Sequence, residues 1–163
     1  MTRCFVLMGV MGSGKTSVGE ALAAVAKITF VDGDSLHPPA NIEKMSTGIP
    51  LTDDDRAPWL VDVGRCLART EGRVAIGCSA LKRAYRDIIR AEAQEAVRFL
   101  HLHTTRDVLA ERVTGRGGHF MPPALLDSQL ATLEPLASDE DGVVIDIDAS
   151  LDAVIEAVVA AVG

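Results

Sequence analysis

The stretch VLMGVMGSGKTSVGE, residues 6–20, decides the fold, because it joins an apolar run to a glycine-rich turn that ends in Lys-Thr. Gly9, Gly14, Lys15 and Thr16 fill the pattern G-x-x-x-x-G-K-[ST]. The apolar run indicates a strand and the residues after the turn indicate a helix, which is the context that a phosphate-binding loop requires. The alternative is a plain glycine-rich turn between a strand and a helix. The pattern in its context favours a site for the phosphates of a nucleoside triphosphate.

The residues of this loop have distinct expected roles. Backbone N–H groups approach phosphate oxygens, Lys15 reaches the outer phosphates, and the Thr16 hydroxyl is a ligand for Mg²⁺. The residues expected to contact the nucleotide are Gly9, Met11, Gly12, Ser13, Gly14, Lys15, Thr16 and Ser17.

Length and composition favour one α/β domain over residues 1–163. The formal charge of -7, from 16 Lys+Arg and 23 Asp+Glu, disfavours nucleic acid as a partner. No run approaches the ~18 apolar residues of a membrane span, and the N-terminus lacks a signal-peptide pattern, so we expect a cytoplasmic protein. The three cysteines are widely spaced without metal-ligand spacing, which indicates buried, reduced thiols.

Apolar runs alternate with amphipathic stretches along the chain, which predicts a parallel sheet covered by helices on both faces. Two segments, 32–58 and 116–141, break this alternation and are typical of binding elements or lids. We place a substrate-binding insertion at about 34–60 and a lid at about 114–136. The predicted strands are 4–8, 28–31, 73–79, 97–103 and 142–147, and the predicted helices are 15–26, 40–47, 54–70, 81–93, 105–115 and 151–162.

Two acidic residues follow the second predicted strand, at the sheet edge where ligands bind in open α/β sheets. Asp32 and Asp34 flank Gly33, so one can hold the water shell of a metal and the other can accept a proton from a substrate hydroxyl. The alternative is an Asx-turn at a strand end. Asp146 and Asp148 either cap the last helix or lie near the nucleotide base.

Basic residues cluster at two places. Lys82, Arg86 and Arg90 recur every four residues, so they share a helix face that either binds an anionic substrate or is solvated. Arg112 and Arg116 also share a face and suit a lid that closes over phosphates, the alternative being a solvated helix end.

Arg56 follows three aspartates. It is a candidate clamp for a substrate carboxylate, although the acidic run could equally mark a helix N-terminus.

Five stretches together resemble the gluconate kinases (gluconokinases) of the small P-loop type, over nearly the whole chain. They are GVMGSGKT at 9–16, VDGDSLHPPANIEKMSTGIPLTDDDRAPWL at 31–60, CSALKRAYRDIIR at 78–90, GHFMPPALLDSQLATLE at 118–134 and VVIDID at 143–148. The resemblance implies a three-layer P-loop kinase fold with a five-stranded parallel sheet and a mobile lid. It implies transfer of phosphate from ATP, with Mg²⁺, to D-gluconate, giving 6-phospho-D-gluconate for the pentose phosphate pathway. It also implies a homodimer.

The resemblance further implies roles for individual residues. Lys15, Asp34 and Arg116 would be catalytic, with Asp34 at the acceptor hydroxyl, and Arg112 and Arg116 would assist the phosphates. Asp32 and Thr16 would serve the metal. The substrate carboxylate must meet at least one cation, for which the candidates are Arg56, Lys82 and Arg86. The hydroxyl groups of the substrate have His37, Ser79, His119 and Gln129 available.

Two other functions compete with this one. Another small-molecule kinase of the same fold would act on shikimate or a nucleoside monophosphate, but one Trp, one Tyr and four Phe argue weakly against a base-stacking acceptor pocket. A nucleotide switch that binds GTP usually carries an N-K-x-D element, and the sequence contains none.

Overall fold

The centre of the protein is a five-stranded sheet in which every pair of neighbours is parallel. The computed structural model describes residues 1–114 and 123–163. Its strands are β1 (Cys4–Met8), β2 (Thr29–Asp32), β3 (Val74–Gly77), β4 (Val97–His103) and β5 (Gly142–Asp146). They lie in the order β2-β3-β1-β4-β5. The predicted α/β fold with five parallel strands is therefore confirmed.

Seven α-helices lie within the described residues, and the six that the sequence predicts begin and end within two residues of the predicted bounds. The helix that the sequence analysis missed is α6, in the segment assigned to the lid. Prolines at positions 122 and 123 suggest an interruption there, yet proline is favoured at the first position of a helix. The helices are α1 (Lys15–Ala26), α2 (Pro39–Ser46), α3 (Asp53–Arg69), α4 (Arg83–Ala93), α5 (Arg106–Thr114), α6 (Pro123–Thr132) and α7 (Leu151–Val162).

The sheet separates two apolar cores, because successive side chains of a strand point to opposite faces. On β1, Val6 packs into the core that includes residues of α3 and α4, and Phe5 packs into the core that includes residues of α1 and α7. The three layers are thus helix, sheet and helix. All three cysteines are buried and free, as predicted. No helix in the described part of the chain has both the length and the hydrophobicity to cross a lipid bilayer.

A fully buried arginine fastens the segment before β5 to α4. Arg86 donates through Nε and Nη2 to the two carboxylate oxygens of Glu140, at 2.7 and 3.0 Å. Its remaining N–H groups donate to the backbone carbonyls of Ala80, Leu81 and Pro135. The five N–H groups of the guanidinium therefore have five acceptors in the protein.

This position corrects one prediction from the sequence. Arg86 was a candidate for binding the substrate carboxylate, but its side chain is 0% exposed and its donors are engaged. Arg86 lies on a helix, as its spacing predicts. Its hydrogen-bond partner Glu140 lies 54 residues further along the chain, so no local sequence pattern shows that the pair is buried. Arg86 is a structural residue.

Glu140 is as deeply buried as Arg86. Burial raises the pKa of Glu140, but hydrogen bonds from Arg86, the Ala137 N–H and Arg90 outweigh burial and hold that pKa at about 2. Because this value is lower than that of an unfolded glutamate, the carboxylate stabilises the fold above about pH 4.3, and this contribution is lost as the pH falls towards 2.

We predict that Arg86→Met lowers the free energy of unfolding by about 3 kcal/mol or more at pH 7, because it leaves Glu140 buried without its main partner. The loss should shrink as the pH falls below about 4, where the Glu140 carboxylate takes up a proton in the variant. Urea unfolding at pH 7 and pH 3.5 measures both effects. The control is Arg83→Met, whose partner Asp139 lies at the surface and whose loss should cost under about 1 kcal/mol. Equal losses of unfolding free energy for the two variants would contradict a stabilising role for the buried Arg86–Glu140 pair.

Candidate active site

The loops that follow β1, β2 and β3 lie at one edge of the sheet, because parallel strands all end on the same side. The loop after β1 is the glycine-rich turn. Its Gly9 N–H donates to the Ser79 carbonyl at 3.3 Å, which joins this turn to the loop after β3. The site is therefore built from neighbouring strands of the sheet.

The glycine-rich turn has no room for a side chain at Gly9. A Cβ at Gly9 would lie 2.7 Å from both the Leu102 carbonyl oxygen and the Ser13 Oγ, and its φ is +150°. Gly14 precedes α1 with a φ of 91°, and no described side chain caps this helix. The first N–H groups of α1 are thus available to an anion. Ser13 Oγ is buried and has no hydrogen-bond partner among the described residues. This arrangement suits phosphate oxygens.

Lys15 turns its ammonium group back towards the same turn. Nζ donates to the carbonyls of Gly9 at 2.8 Å and Val10 at 3.1 Å. Burial lowers the pKa of Lys15, and the charges of Asp34 and Asp32 oppose that shift. The ammonium group therefore contacts the turn, and the two acidic residues at the end of β2 favour its charged form.

A cavity of about 220 Å³ lies beside the turn, on the side of α7. Ser13, Ser17 and Arg112 contribute its polar side chains. Arg112 also donates to the Ile147 carbonyl just after β5, so it belongs to the wall of this cavity. The apolar part of the lining consists of Val18, Ile147, Ala149, Leu151 and Val154. The cavity suits the base and ribose of a nucleotide whose phosphates occupy the turn.

Asp32 and Asp34 lie at the end of β2 as predicted. Asp32 Oδ1 accepts a hydrogen bond from the Asp34 N–H at 3.0 Å and caps the short 3-10 helix Gly33–Leu36. The Asx-turn that the sequence left as an alternative is therefore present at Asp32. The Asp34 side chain is exposed, so its carboxylate is open to a ligand. Asp146 and Asp148 form the same kind of turn after β5.

A tryptophan fixes the loop after β2. Trp59 Nε1 donates to the Gly33 carbonyl at 2.8 Å, and its ring stacks on His37 with centroids 4.0 Å apart. The Asn41 side-chain nitrogen donates to the Asp55 carbonyl at 2.9 Å and lies 3.2 Å from His37 Nδ1. Because that nitrogen is a donor, His37 Nδ1 is an acceptor, and the ring proton of the neutral histidine is on Nε2.

His37 lies between opposite charges. Burial lowers its pKa; the Asp34 carboxylate raises it, and the Arg56 guanidinium lowers it further. The net shift is downward, so His37 is neutral at pH 7 and offers an N–H donor to a ligand. Trp59 lies one helical turn after Arg56 on α3 and stacks on His37, so α3 brings Arg56 towards the loop that carries Asp34 and His37.

Next to Arg56, several donors surround the carboxylate of Asp53. Tyr85 donates to Asp53 Oδ1, and Lys82 Nζ lies 3.3 and 3.5 Å from the two carboxylate oxygens. Arg56 Nη1 donates to the Tyr85 hydroxyl at 3.3 Å and lies 3.7 Å from Asp53 Oδ1. The hydrogen bond from Tyr85, followed by those from Lys82, lowers the pKa of Asp53, so its carboxylate is ionised. We call Asp53, Arg56, Lys82 and Tyr85 the carboxylate cluster.

Comparisons with known proteins agree with this geometry. A sequence model of the shikimate kinase family matches residues 11–162. A gluconokinase of Gluconobacter oxydans is 47% identical over 157 residues, covering 94% of this chain and 88% of its own. A thermosensitive gluconokinase of Escherichia coli is 49% identical over 148 residues, covering 88% and 79%. The crystal structure of a gluconokinase from Sinorhizobium meliloti is 49% identical, has a TM-score of 0.89, and covers 97% of this chain and 90% of that one.

The chain belongs to the gluconokinase family.

Several residues predicted from the sequence lie around this candidate site. Lys15, Thr16 and the rest of the turn form one end, Asp32, Asp34 and His37 follow, and Arg56 and Lys82 form the other end. Arg112, expected at the phosphates, lines the cavity beside them. Arg116 and His119 lie outside the described residues.

Two predicted residues make contacts with the glycine-rich turn instead of the acceptor side. Gln129 on α6 accepts a hydrogen bond from the Met11 N–H at 2.7 Å. Ser79 accepts from Gly9 through its carbonyl. Both residues brace the turn in this structure, and their contact with a substrate stays a prediction.

Four further residues shape the candidate site and were not predicted from the sequence: Asn41, Asp53, Trp59 and Tyr85. A signal for two of them existed, because Trp59 and Tyr85 are the single Trp and the single Tyr of the chain. Asn41 and Asp53 act through contacts with residues distant in sequence, which no local pattern shows.

We predict that Lys15→Met lowers kcat for phosphate transfer about a hundredfold or more, because it removes a charge aimed at the outer phosphates. A coupled assay for ADP release measures this change. Lys27→Met, at the other end of α1, is the matched control and should retain normal kcat. A Lys15→Met variant with unchanged kcat would contradict the interpretation that the glycine-rich turn binds the nucleotide phosphates.

Proposed function

We propose that this member of the gluconokinase family transfers the γ-phosphate of ATP to the 6-hydroxyl of D-gluconate, forming 6-phospho-D-gluconate and ADP. Family membership supports the reaction. The observation that carries the assignment to this site is the carboxylate cluster, where Arg56 and Lys82 converge on one carboxylate beyond a phosphate-binding turn. A sugar acid that spans the two ends places an anionic group at one end and a reactive hydroxyl at the other.

The nucleotide would lie across the turn and the cavity. The free N–H groups at the start of α1 and the Ser13 hydroxyl would hold phosphate oxygens, and Lys15 would exchange its two carbonyl partners for the outer phosphates. Arg112 stands in the cavity wall. We keep Arg116 as the second arginine that would neutralise charge on the transferred phosphate.

The residues at the turn also fit a magnesium ion. Thr16 is exposed in the first turn of α1 and Asp32 is exposed at the end of β2, and oxygen donors are those that Mg²⁺ prefers. The described residues contain no group of three or more His, Cys, Asp or Glu side chains placed to hold a metal. A magnesium ion held jointly by nucleotide phosphates and water needs few protein ligands. When bound, it would neutralise charge on the phosphates.

The acceptor would lie along the side marked by Asp34, His37 and Arg56. Asp34 would orient the substrate hydroxyl and accept its proton as the new oxygen–phosphorus bond forms. His37 Nε2 would donate to a hydroxyl of the substrate, and Ser79, His119 and Gln129 remain candidates for others. Arg56 and Lys82 would bind the carboxylate. Exclusion of water from this site would protect ATP from hydrolysis.

We also propose, from the family resemblance, that the enzyme is a cytoplasmic homodimer. The exposed apolar side chains of Val143 and Val144 on the edge strand β5 provide surface that a second copy would cover. Sedimentation of the purified protein would report the oligomeric state.

The assay for this function is ADP release with Mg-ATP and D-gluconate, shikimate, AMP or no acceptor. The proposal predicts acceleration with gluconate alone. Acceleration by shikimate or AMP would favour the other kinases of this fold. Equal slow release in every sample would favour a nucleotide switch and reject the proposal.

We predict that Asp34→Asn lowers kcat about a hundredfold or more while KM for ATP stays within a few-fold, because it removes the proton acceptor and leaves the phosphate-binding turn intact. Steady-state kinetics with both substrates separates the two effects. Asp107→Asn, whose side chain is 94% exposed, is the control for the charge change. Near-normal turnover of Asp34→Asn would reject the role of Asp34 as base.

A further inference from the structure

The Asp53 carboxylate receives more donors than an exposed aspartate ordinarily does. Its side chain is 62% exposed, whereas Tyr85 is 5% exposed and the Lys82 side chain 34%. The cationic groups of Arg56 and Lys82 each lie 5.6 Å from the centre of the Tyr85 ring. The donors are thus held by packing and by each other, while the carboxylate that they share faces solvent.

Within residues 1–114 and 123–163, the Asp53 side chain makes no hydrogen bond that caps α3. Thr52 caps this helix by accepting from the Asp55 N–H, and the Asp55 side chain accepts a hydrogen bond from the Thr52 N–H. The capping box is complete without Asp53. Asp54, the next residue, supplies the same charge to the first turn of the helix. The contacts of Asp53 with Lys82 and Tyr85 are therefore not required to cap α3.

The donors of this cluster cannot serve two carboxylates equally. The Tyr85 hydroxyl has one proton, and this proton is donated to Asp53. Lys82 Nζ is already close to both oxygens of the same group. A second carboxylate that bound to Tyr85 and Lys82 would have to displace Asp53, because two carboxylates at one position repel each other.

We propose that Asp53 occupies the place of the acceptor carboxylate in the ligand-free protein, and that the acceptor binds by displacing it. This inference rests on the proposed function, since it takes a sugar acid as the acceptor. Asp53 then determines specificity. A carboxylate can replace it on Arg56, Lys82 and Tyr85, whereas a neutral polyol cannot supply the charge that these cations lose.

The displacement is tested by equilibrium binding of D-gluconate to Asp53→Asn, measured by titration calorimetry without ATP. We expect the variant to bind gluconate about threefold or more tightly than the wild type, because the competing ion pair is gone. D-Glucitol, which has a hydroxymethyl group in place of the carboxylate, should gain nothing. Tyr85→Phe, which keeps the ring and removes the donor, should weaken the binding of gluconate.

Asp54→Asn is the matched control, since it removes an equal charge from the same helix turn and Asp54 is exposed. Weaker binding of gluconate by Asp53→Asn would overturn the proposal and make Asp53 a residue that positions the cations. A gain no larger than that of Asp54→Asn, or no binding by either wild type or Asp53→Asn, would also overturn it. Turnover is measured separately: tighter binding without phosphate transfer would support the displacement and reject the proposed reaction.

Discussion

The absence of side-chain volume at Gly9 is the constraint on which the site depends. A Cβ there would collide with the Leu102 carbonyl and Ser13 Oγ, so the turn after β1 can close only around glycine. Closure brings the unpaired N–H groups of α1 to the sheet edge and turns the Lys15 ammonium against the carbonyls of Gly9 and Val10. Because β1 lies in the middle of the sheet, this positive centre is flanked by the loops that follow its neighbouring strands.

The other end of the site depends on aromatic side chains. Trp59 ties α3 to the loop after β2 through the Gly33 carbonyl and stacks on His37, so the Asp34 loop and Arg56 are held in one frame. Tyr85 ties α3 to α4 through Arg56 and Asp53. These contacts give the site two chemically different ends, a glycine-rich turn that suits phosphate oxygens and a cluster in which Arg56, Lys82 and Tyr85 surround the Asp53 carboxylate.

The sequence was sufficient for the fold and for the end of the site that uses local patterns. The glycine-rich turn and the alternation of apolar runs concern neighbours in sequence, and the strands and six helices follow from them. It was insufficient where a role depends on a distant partner. Arg86 shares a helix face with Lys82 and Arg90, which predicts a substrate-binding residue, but its side chain is buried in an ion pair with Glu140. In the sequence, Asp53 is one of three consecutive aspartates. Only its contacts with Lys82 and Tyr85 in the structure distinguish it from Asp54.

In the proposed reaction, the γ-phosphate reaches the hydroxyl at the end of the acceptor opposite its carboxylate. The most direct measurement is the proton-coupled phosphorus-31 NMR spectrum of the product formed from Mg-ATP and D-gluconate. We expect a phosphomonoester signal that is split into a triplet by the methylene protons of the 6-position. A doublet, which indicates phosphate on a secondary hydroxyl, or inorganic phosphate as the sole product besides ADP, would contradict it.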